Sequence, residues 1–325
     1  MFNRLMIIIT LFVGIMLFVT PEFLANDKPL FVFYRNHIYF PILFNYDPQQ
    51  LGLTKGQMPQ YLDPTVRAHL NQHGTYWMPP IPYSPNSHDL HADKTHPQAP
   101  GKKHILGTDD QGRDVLARVI YTLRFTMISS LILTFVSMCL GSIIGTIAGF
   151  YGGWADMISQ QIIHLCSSIP ATYLCMILAS VAPMQTWIIL LIISAVQWTY
   201  FAQLARAEVL QSKHHDYIIT AQYIGLTSGQ VIYRHLFPKT LRNALIQTPW
   251  KCVQNISSIA SLQVLGIGIN TNHTHLGELI MQAYQHPEAP WLTLSICLAI
   301  WTCLSLTFYG IHTCIHQYLP KTAMK

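Results

Sequence analysis

Six apolar runs separated by polar segments of very unequal length set the pattern of this chain: residues 5–24, 126–150, 162–182, 187–205, 244–268 and 291–312. Each falls within the roughly 17 to 25 residues that a helix needs to cross a bilayer, so the pattern predicts six transmembrane helices. The first follows a single Arg4 and reads as a retained helix, because signal cleavage wants small residues and Phe23 and Leu24 precede Ala25. The second carries Gly141, Gly145 and Gly149, small residues four apart that let helix backbones approach closely. Pro170 predicts a kink in the third. The fifth is unusually polar. Gln247, Lys251, Gln254, Asn255 and Ser258 recur at helical spacing and share one face, which either lines a polar path or bonds to neighbouring helices.

The polar segments predict the rest. Hydrophobic periodicity is lost between the first run and Lys103, where Pro, His, Tyr and Asn dominate. Short runs at Leu30–Tyr34 and Ile38–Phe40 predict small strands or a compact irregular lobe. Thr108 or Asp109 is placed to cap a helix with an apolar face of Val115, Leu116, Val119 and Ile120, which taken alone reads as an amphipathic elbow at the membrane surface. Residues 183–186 make an uncharged hairpin. Residues 206–242 read as two short helices joined at Gly225, the second capped by Thr227 or Ser228 and ending before Pro238.

Charge orients the pattern. Arg206, Lys213, Arg234, Lys239 and Arg242 place residues 206–242 in the cytoplasm, while residues 269–290 hold Glu278 and Glu288 but no Lys or Arg. Both termini then lie inside and residues 25–125 outside. Arg113, Arg118 and Arg124, just before the second run, go against this rule. Composition agrees with a membrane protein: 51% of residues are hydrophobic and 10% charged, against about 25% charged in soluble domains. The net charge of +5 follows the loops and does not imply nucleic acid.

Candidate chemistry is sparse. The seven cysteines form no Cys-x-x-Cys pair and suggest neither a disulfide framework nor a thiolate metal site. His88, His91 and His96 carry imidazoles, but a Pro-rich segment fixes no ligand geometry, and no metal is assigned. There are no paired carboxylates, no His-Glu-x-x-His and no phosphate-binding Gly-x4-Gly-Lys loop, so no catalytic residue and no cofactor is expected. Leu226-Thr227-Ser228-Gly229-Gln230 is only superficially like an ATPase signature.

Two separated motifs carry a family resemblance. Asp216-Tyr217, Ala221-x3-Gly225 and Arg234-His235-Leu236-Phe237-Pro238 resemble the EAA loop of ABC importer permeases. Ile219-Thr220-Ala221 stands where that loop has Glu-Ala-Ala, and Lys239 where Asn is common. Leu106-Gly107-Thr108-Asp109-x-x-Gly112-Arg113-Asp114 is similar to the signature of the second permease subunit in peptide-type ABC importers. Gly149-Phe-Tyr-Gly-Gly-Trp-Ala-Asp156, Leu265-Gly266-Ile267-Gly268 and Leu276-Gly277-Glu278-Leu279 extend the likeness from about Lys28 to Trp291. On these residues the chain is identified as a member of the OppC/DppC-like permeases. Tyr39-Phe40-Pro41, Trp77-Met78-Pro79-Pro80 and Tyr83-Ser84 in the long insert resemble most the branch that imports oligopeptides and microcin C, although Asn270-Thr271 replaces a usual Pro-Pro.

The resemblance implies an all-α membrane protein with six transmembrane helices of the MetI-like ABC permease type and a long periplasmic insert after helix 1. Its parts would be a first helix (1–25), the insert (26–105), a permease domain (106–312) with its EAA loop at about 206–242, and a cytoplasmic tail (313–325). It also implies a multi-pass subunit of the bacterial inner membrane, forming half of a heterodimeric pore. Its partners would be a sister permease, two cytoplasmic ABC ATPases that bind the ATP, a periplasmic substrate-binding protein, a peptide substrate and membrane lipid.

Site residues follow by position. Coupling to the ATPases falls to Asp216, Tyr217, Ala221, Gly225, Arg234, His235 and Pro238. The translocation path falls to Gln247, Lys251, Gln254, Asn255 and Ser258, and the signature is Gly107, Thr108, Asp109, Gly112, Arg113 and Asp114. A nickel or other metal permease of the same fold, using the insert histidines, and a membrane sensor or enzyme are the alternative readings.

Overall fold

The computed structural model describes residues 20–35, 37–52, 61–88, 97–182, 185–268 and 274–318. Most of the first apolar run, His91 and His96, Pro183 and Met184, Asn270 and Thr271, and the last seven residues lie outside them. In chain order the elements are α1 (Pro21–Leu24), β1 (Phe31–Tyr34), β2 (His37–Tyr39), α2 (Pro64–His73), β3 (Gly74–Trp77), α3 (Val115–Tyr151), α4 (Gly153–Ser168), α5 (Ala171–Val181), α6 (Thr186–Ser212), α7 (Asp216–Tyr223), α8 (Ser228–Val231), α9 (Phe237–Val264), α10 (Leu276–Gln285) and α11 (Pro290–Tyr318).

The described chain divides into two compact units. One runs up to Phe125 and includes Thr274 to Thr302; the other runs from Thr126 to Gly268 and includes Cys303 to Tyr318. The boundaries fall inside α3 and α11.

In the first unit the insert does form strands. They make an antiparallel sheet of order β2-β1-β3, with Phe33 opposite Ile38 on one side and Thr75 on the other, and Phe31 opposite Trp77. Because strand side chains alternate, Val32 and Tyr34 turn inward and Phe33 turns out. The inward face packs with Tyr61 and Leu70, the latter from α2, and with Tyr39, Val66 and Tyr76. Asp63 caps α2, its carboxylate accepting from Thr65 N at 2.9 Å, with Pro64 at the first helical position where no N–H is needed.

The expected surface elbow before the second span is absent. α3 runs unbroken from Val115 to Tyr151, so the amphipathic start and the spanning part are one helix. Its cap is Asp114 rather than Thr108 or Asp109: Asp114 Oδ1 accepts from Ala117 N at 2.8 Å. Thr108 and Asp109 lie in the turn ahead of it, where a bridge joins Thr108 to Asp114.

In the second unit α3 packs closely on α6. A Cβ on Gly145 would stand 2.1 Å from Ala202 O, and one on Gly141 would stand 2.4 Å from Trp198 O. No side chain fits there, which is the close approach that the four-residue glycine spacing predicts. The break at Pro170 is also seen: α4 and α5 meet at 66° with Pro170 as the N-cap residue of α5. α3, α6 and the Pro290–Tyr309 part of α11 are long and apolar enough to cross a membrane, and the bent α4–α5 pair adds one more if it is a single span. α9 is 28 residues long, contains Pro249 and is more polar.

The expectation that a helix ends before Pro238 is corrected. α8 gives way to a π-helical turn over Ile232–Leu236, and Pro238 then lies in the first turn of α9. Proline suits that position because the first N–H groups of a helix have no intrahelical acceptor. The fifth helix therefore starts seven residues earlier than its apolar run.

Candidate functional site

The signature residues of the first unit converge on one buried carboxylate. Asp109 has no exposed surface. Its Oδ1 accepts from Arg113 N at 2.8 Å and Gln111 N at 3.0 Å, and its Oδ2 from Arg113 Nε at 2.8 Å and from Arg118 Nη1. Both guanidiniums continue to α10. Arg113 Nη2 donates to Glu278 Oε1 at 2.9 Å, Arg118 Nη2 lies 2.6 Å from Glu278 Oε2, and Arg118 Nη1 donates to Gln282 Oε1 at 2.9 Å. Gln282 Nε2 closes the network on Asp110 Oδ1 at 2.8 Å.

Two cations thus face two anions in a site where an unpaired charge would be very costly. Burial alone would raise the Asp109 carboxyl, but the Arg118 and Arg113 guanidiniums beside it, with the Arg113 hydrogen bonds, hold it below the usual carboxylate range.

The other signature residues shape the turn. Gly107 and Gly112 both adopt φ +75°. Thr108 exchanges backbone and side-chain hydrogen bonds with Gln98, at 3.0 and 2.9 Å, and its carbonyl accepts from Trp291 Nε1 at 3.4 Å. Asp114 Oδ2 lies 2.8 Å from His104 Nδ1. His88 Nδ1 is 3.0 Å from Gln111 O, so its ring is tied to this turn.

Arg118, Glu278 and Gln282 belong to the network although sequence reasoning gave them no site role. A signal was present: three arginines on the wrong side of a span. Arg113 and Arg118 pair within the network and Arg124 pairs with Glu22.

The basic stretch of the second unit forms a small anchored knob. Its first residues continue α6 as far as Ser212, and α7 follows from Asp216. Ile218 of α7, Val231 of α8 and Leu236 of the π turn are buried with Val209, against Phe150 and Leu226. Gly225 turns the chain between the helices at φ +96°, with nothing within 4 Å of where a Cβ would sit. The glycine is thus required by backbone conformation and not by crowding. Thr227 and Gln230 make a reciprocal capping box at the start of α8.

Among the expected coupling residues, Ala221 is buried, whereas Asp216, Tyr217, Arg234 and Pro238 are exposed. The Tyr217 ring lies between His215 and His235, with centroids at 5.8 and 6.3 Å. Tyr223, Ile224 and Tyr233 are 87%, 74% and 75% exposed, which marks the outward end of the knob.

Ion pairs brace the base of the knob. Arg206 binds both oxygens of Asp156, at 2.5 and 2.7 Å. Lys239 reaches Glu208 at 2.9 Å and Ser212 at 2.7 Å, and Asn243 donates to Glu208 at 2.5 Å. Lys239, the departure from the usual Asn, therefore ties α9 to α6.

The polar stripe of α9 is split. Asn255 is fully buried and donates to Thr134 Oγ1 of α3 at 2.8 Å, and Ser130 Oγ bonds Cys252 O at 2.9 Å beside it. Gln247, Lys251, Gln254 and Ser258 are not buried. Lys251 Nζ lies 3.1 Å from Gln254 Oε1 and 4.6 Å from the centre of the Tyr200 ring, whose hydroxyl reaches Gln247 at 3.5 Å. Asn255 sits at the edge of the stripe and turns toward α3, which helical spacing alone did not separate.

Comparison with known proteins identifies what carries these features. Residues 141–317 match the family of binding-protein-dependent transport system inner membrane components. The chain is 34% identical over 288 residues to the inner membrane ABC transporter permease protein YejE of Escherichia coli, covering 89% of this chain and 84% of that protein. The chain belongs to this permease family.

The permease is also 30% identical over 312 residues to the peptidoglycan transport system permease protein YejE of Agrobacterium fabrum, covering 89% and 82% of the two chains. It is 28% identical over 246 residues to the oligopeptide transport system permease protein OppC of Mycobacterium bovis, covering 73% and 82%. A solved chain described as "Crystal structure of an amino acid ABC transporter with histidines" aligns with 63% of the permease and 99% of its own length, at 16% identity and a TM-score of 0.46. As a family member the permease is an inner-membrane transport component. Its matched region takes in the knob, the polar stripe and α10 of the ion network.

Proposed function

We propose that the permease forms half of a peptide-importing ABC pore, pairing with a sister permease and driven by two cytoplasmic ATPases that bind and hydrolyse the ATP. A binding protein outside the membrane delivers the peptide, and oligopeptides or microcin C-like conjugates are the cargo class. Relatives named for oligopeptide and peptidoglycan transport support the cargo, and the family description supports the binding protein.

One observation carries the coupling role. The knob formed by residues 216–236 rests on the same core as α3 and α6 while its tip projects Tyr223, Ile224 and Tyr233 into solvent. A push on such a tip reaches α3 and α6 through the shared packed cluster of Val209, Ile218, Val231 and Leu236 with Phe150. Asp216, Tyr217, Gly225, Arg234, His235 and Pro238 act there as shape and contact, with Ala221 as packing. The open part of the α9 stripe, Gln247, Lys251, Gln254 and Ser258, lines the peptide path. Asn255 is reassigned to the seam with α3.

The test is peptide uptake and ATP hydrolysis by the complete transporter in proteoliposomes. Gly225→Pro should leave the protein inserted and the ATPases turning over while uptake falls at least about tenfold, because proline cannot adopt positive φ. Normal uptake at wild-type abundance would remove the coupling role. Orientation has its own check. A cysteine at Gln98 should react with an impermeant thiol reagent in intact spheroplasts, and one at Ser228 only after lysis; the reverse pattern would overturn the topology.

A further inference from the structure

The insert sheet has one face that nothing among the described residues covers. Its inward face packs on α2, but on the other side Phe33 and its partner Ile38 are exposed, and Trp77 stands 66% exposed at the edge of Phe31, with ring centroids 5.9 Å apart. Phe40, in the turn that follows β2, is exposed as well. The lobe is strongly two-sided: α2 presents Thr65, Asn71, Gln72 and His73 to water. An exposed apolar patch of this kind marks a contact surface.

Two tethers decide what can reach it. Tyr121 of α3 donates to Ala25 O at 3.0 Å, and Ala25 is bridged to Ile81, with Ile81 N donating to Leu24 O at 3.0 Å and Asn26 N to Ile81 O at 3.1 Å. Tyr121 lies one turn before Phe125, where the uninterrupted apolar course of α3 begins, and Arg124 is the last charge before it. Trp77 is four residues from Ile81, so the chain holds it within about 14 Å of that level at about 3.5 Å per residue. The second tether is Leu30 N, which donates to Trp77 O at 2.8 Å five residues after Ala25. Short chain segments thus tether the sheet to Tyr121, one turn before the charge-free course of α3, and Trp and Tyr concentrate at membrane–water boundaries.

From this we infer that the Phe33–Ile38–Trp77 face of the insert lies on the lipid surface, as an interfacial foot, with α2 turned to water. The occupant is phospholipid: the hydrocarbon edge takes the aromatic and aliphatic side chains. That the leaflet is the outer one rests on the topology proposed above, which the Gln98 labelling tests separately.

The experiment places a photo-crosslinking amino acid at Ile38, Trp77 or Asn71 of the full-length permease. The complete transporter is then reconstituted in vesicles of phosphatidylethanolamine and phosphatidylglycerol. Illumination should give lipid adducts at Ile38 and Trp77, at least about fivefold above Asn71. Phe40, exposed just outside the strands, gives a position that leaves the sheet intact if either strand substitution disturbs it. Adducts to the binding protein, the sister permease or a second copy in place of lipid, or equal lipid labelling at Asn71, would overturn the inference.

Discussion

The two polar constellations of this permease use similar residues to opposite ends. Around Asp109 the charges are buried or half-buried and paired: two guanidiniums, two carboxylates and Gln282 meet one another. Along α9 the open members of the stripe have few protein partners, and Lys251 rests on a ring face and one amide. A closed network of charges fixes geometry, since any movement exposes an unpaired ion in a low dielectric. An open row leaves donors and acceptors that the protein itself does not enclose. Polarity within or beside a membrane span is therefore informative only together with burial and partners.

Substitutions can break this contrast, and the largest effect belongs to Arg118. Arg118→Met leaves Asp109 and Glu278 short of a cation inside the network and should cost about 3–5 kcal/mol. It should be read as lost abundance of the assembled permease and a lower melting temperature in detergent. A stable, wild-type-like Arg118→Met would mean that the network is not structural.

Asn255→Ala sharpens the division within α9. Losing the Asn255–Thr134 hydrogen bond, with Cys252 Sγ left as the donor to that hydroxyl, should cost about 0.5–1.5 kcal/mol in stability, with peptide selectivity unchanged. A change of selectivity instead would return Asn255 to the path.

Lys251→Met should do the reverse. Assembly stays intact while uptake shifts toward basic over acidic peptides by about fivefold, equivalent to about 1 kcal/mol between charges about 4 Å apart in water. Loss of assembly without any shift would make the whole face a packing seam.

The smallest effect is expected from pH. The Asp109 carboxyl is lowered in the folded protein, so its contribution is fully present above the unfolded value of about 3.9 and is lost as pH falls through the lowered folded value. Thermal stability should show no Asp109-dependent change between about pH 5 and 8, measured against Asp109→Asn. A stability step near neutral pH that disappears in that variant would contradict the pairing.

Much of this was legible in the sequence for identifiable reasons. The glycines at 141, 145 and 149 announced a close helix contact because only a missing Cβ permits one, and Pro170 announced a break because it removes a backbone donor. The start of α9 was misplaced because Pro238 reads equally as the end of one helix or the first turn of the next. The elbow before α3 was misread because an amphipathic turn and a spanning helix share one period. The partners of Asp109 could not be read at all. Arg113 and Arg118 lie near it in sequence, but Glu278 and Gln282 meet it only through the fold. The exposed residues of the knob were placed by motif, while its hidden support, Ile218 and Val231, came only with packing.

The glycine contact between α3 and α6 also has a history in time. Gly145 is made 57 residues before Ala202, and at about 5–20 residues per second the delay amounts to several seconds of synthesis. During that interval the side of α3 that α6 will cover has no α6 to cover it. The ladder of missing side chains is thus an assembly order written into the helix, and a bulky residue at Gly145 would leave the growing chain waiting for a partner that cannot dock.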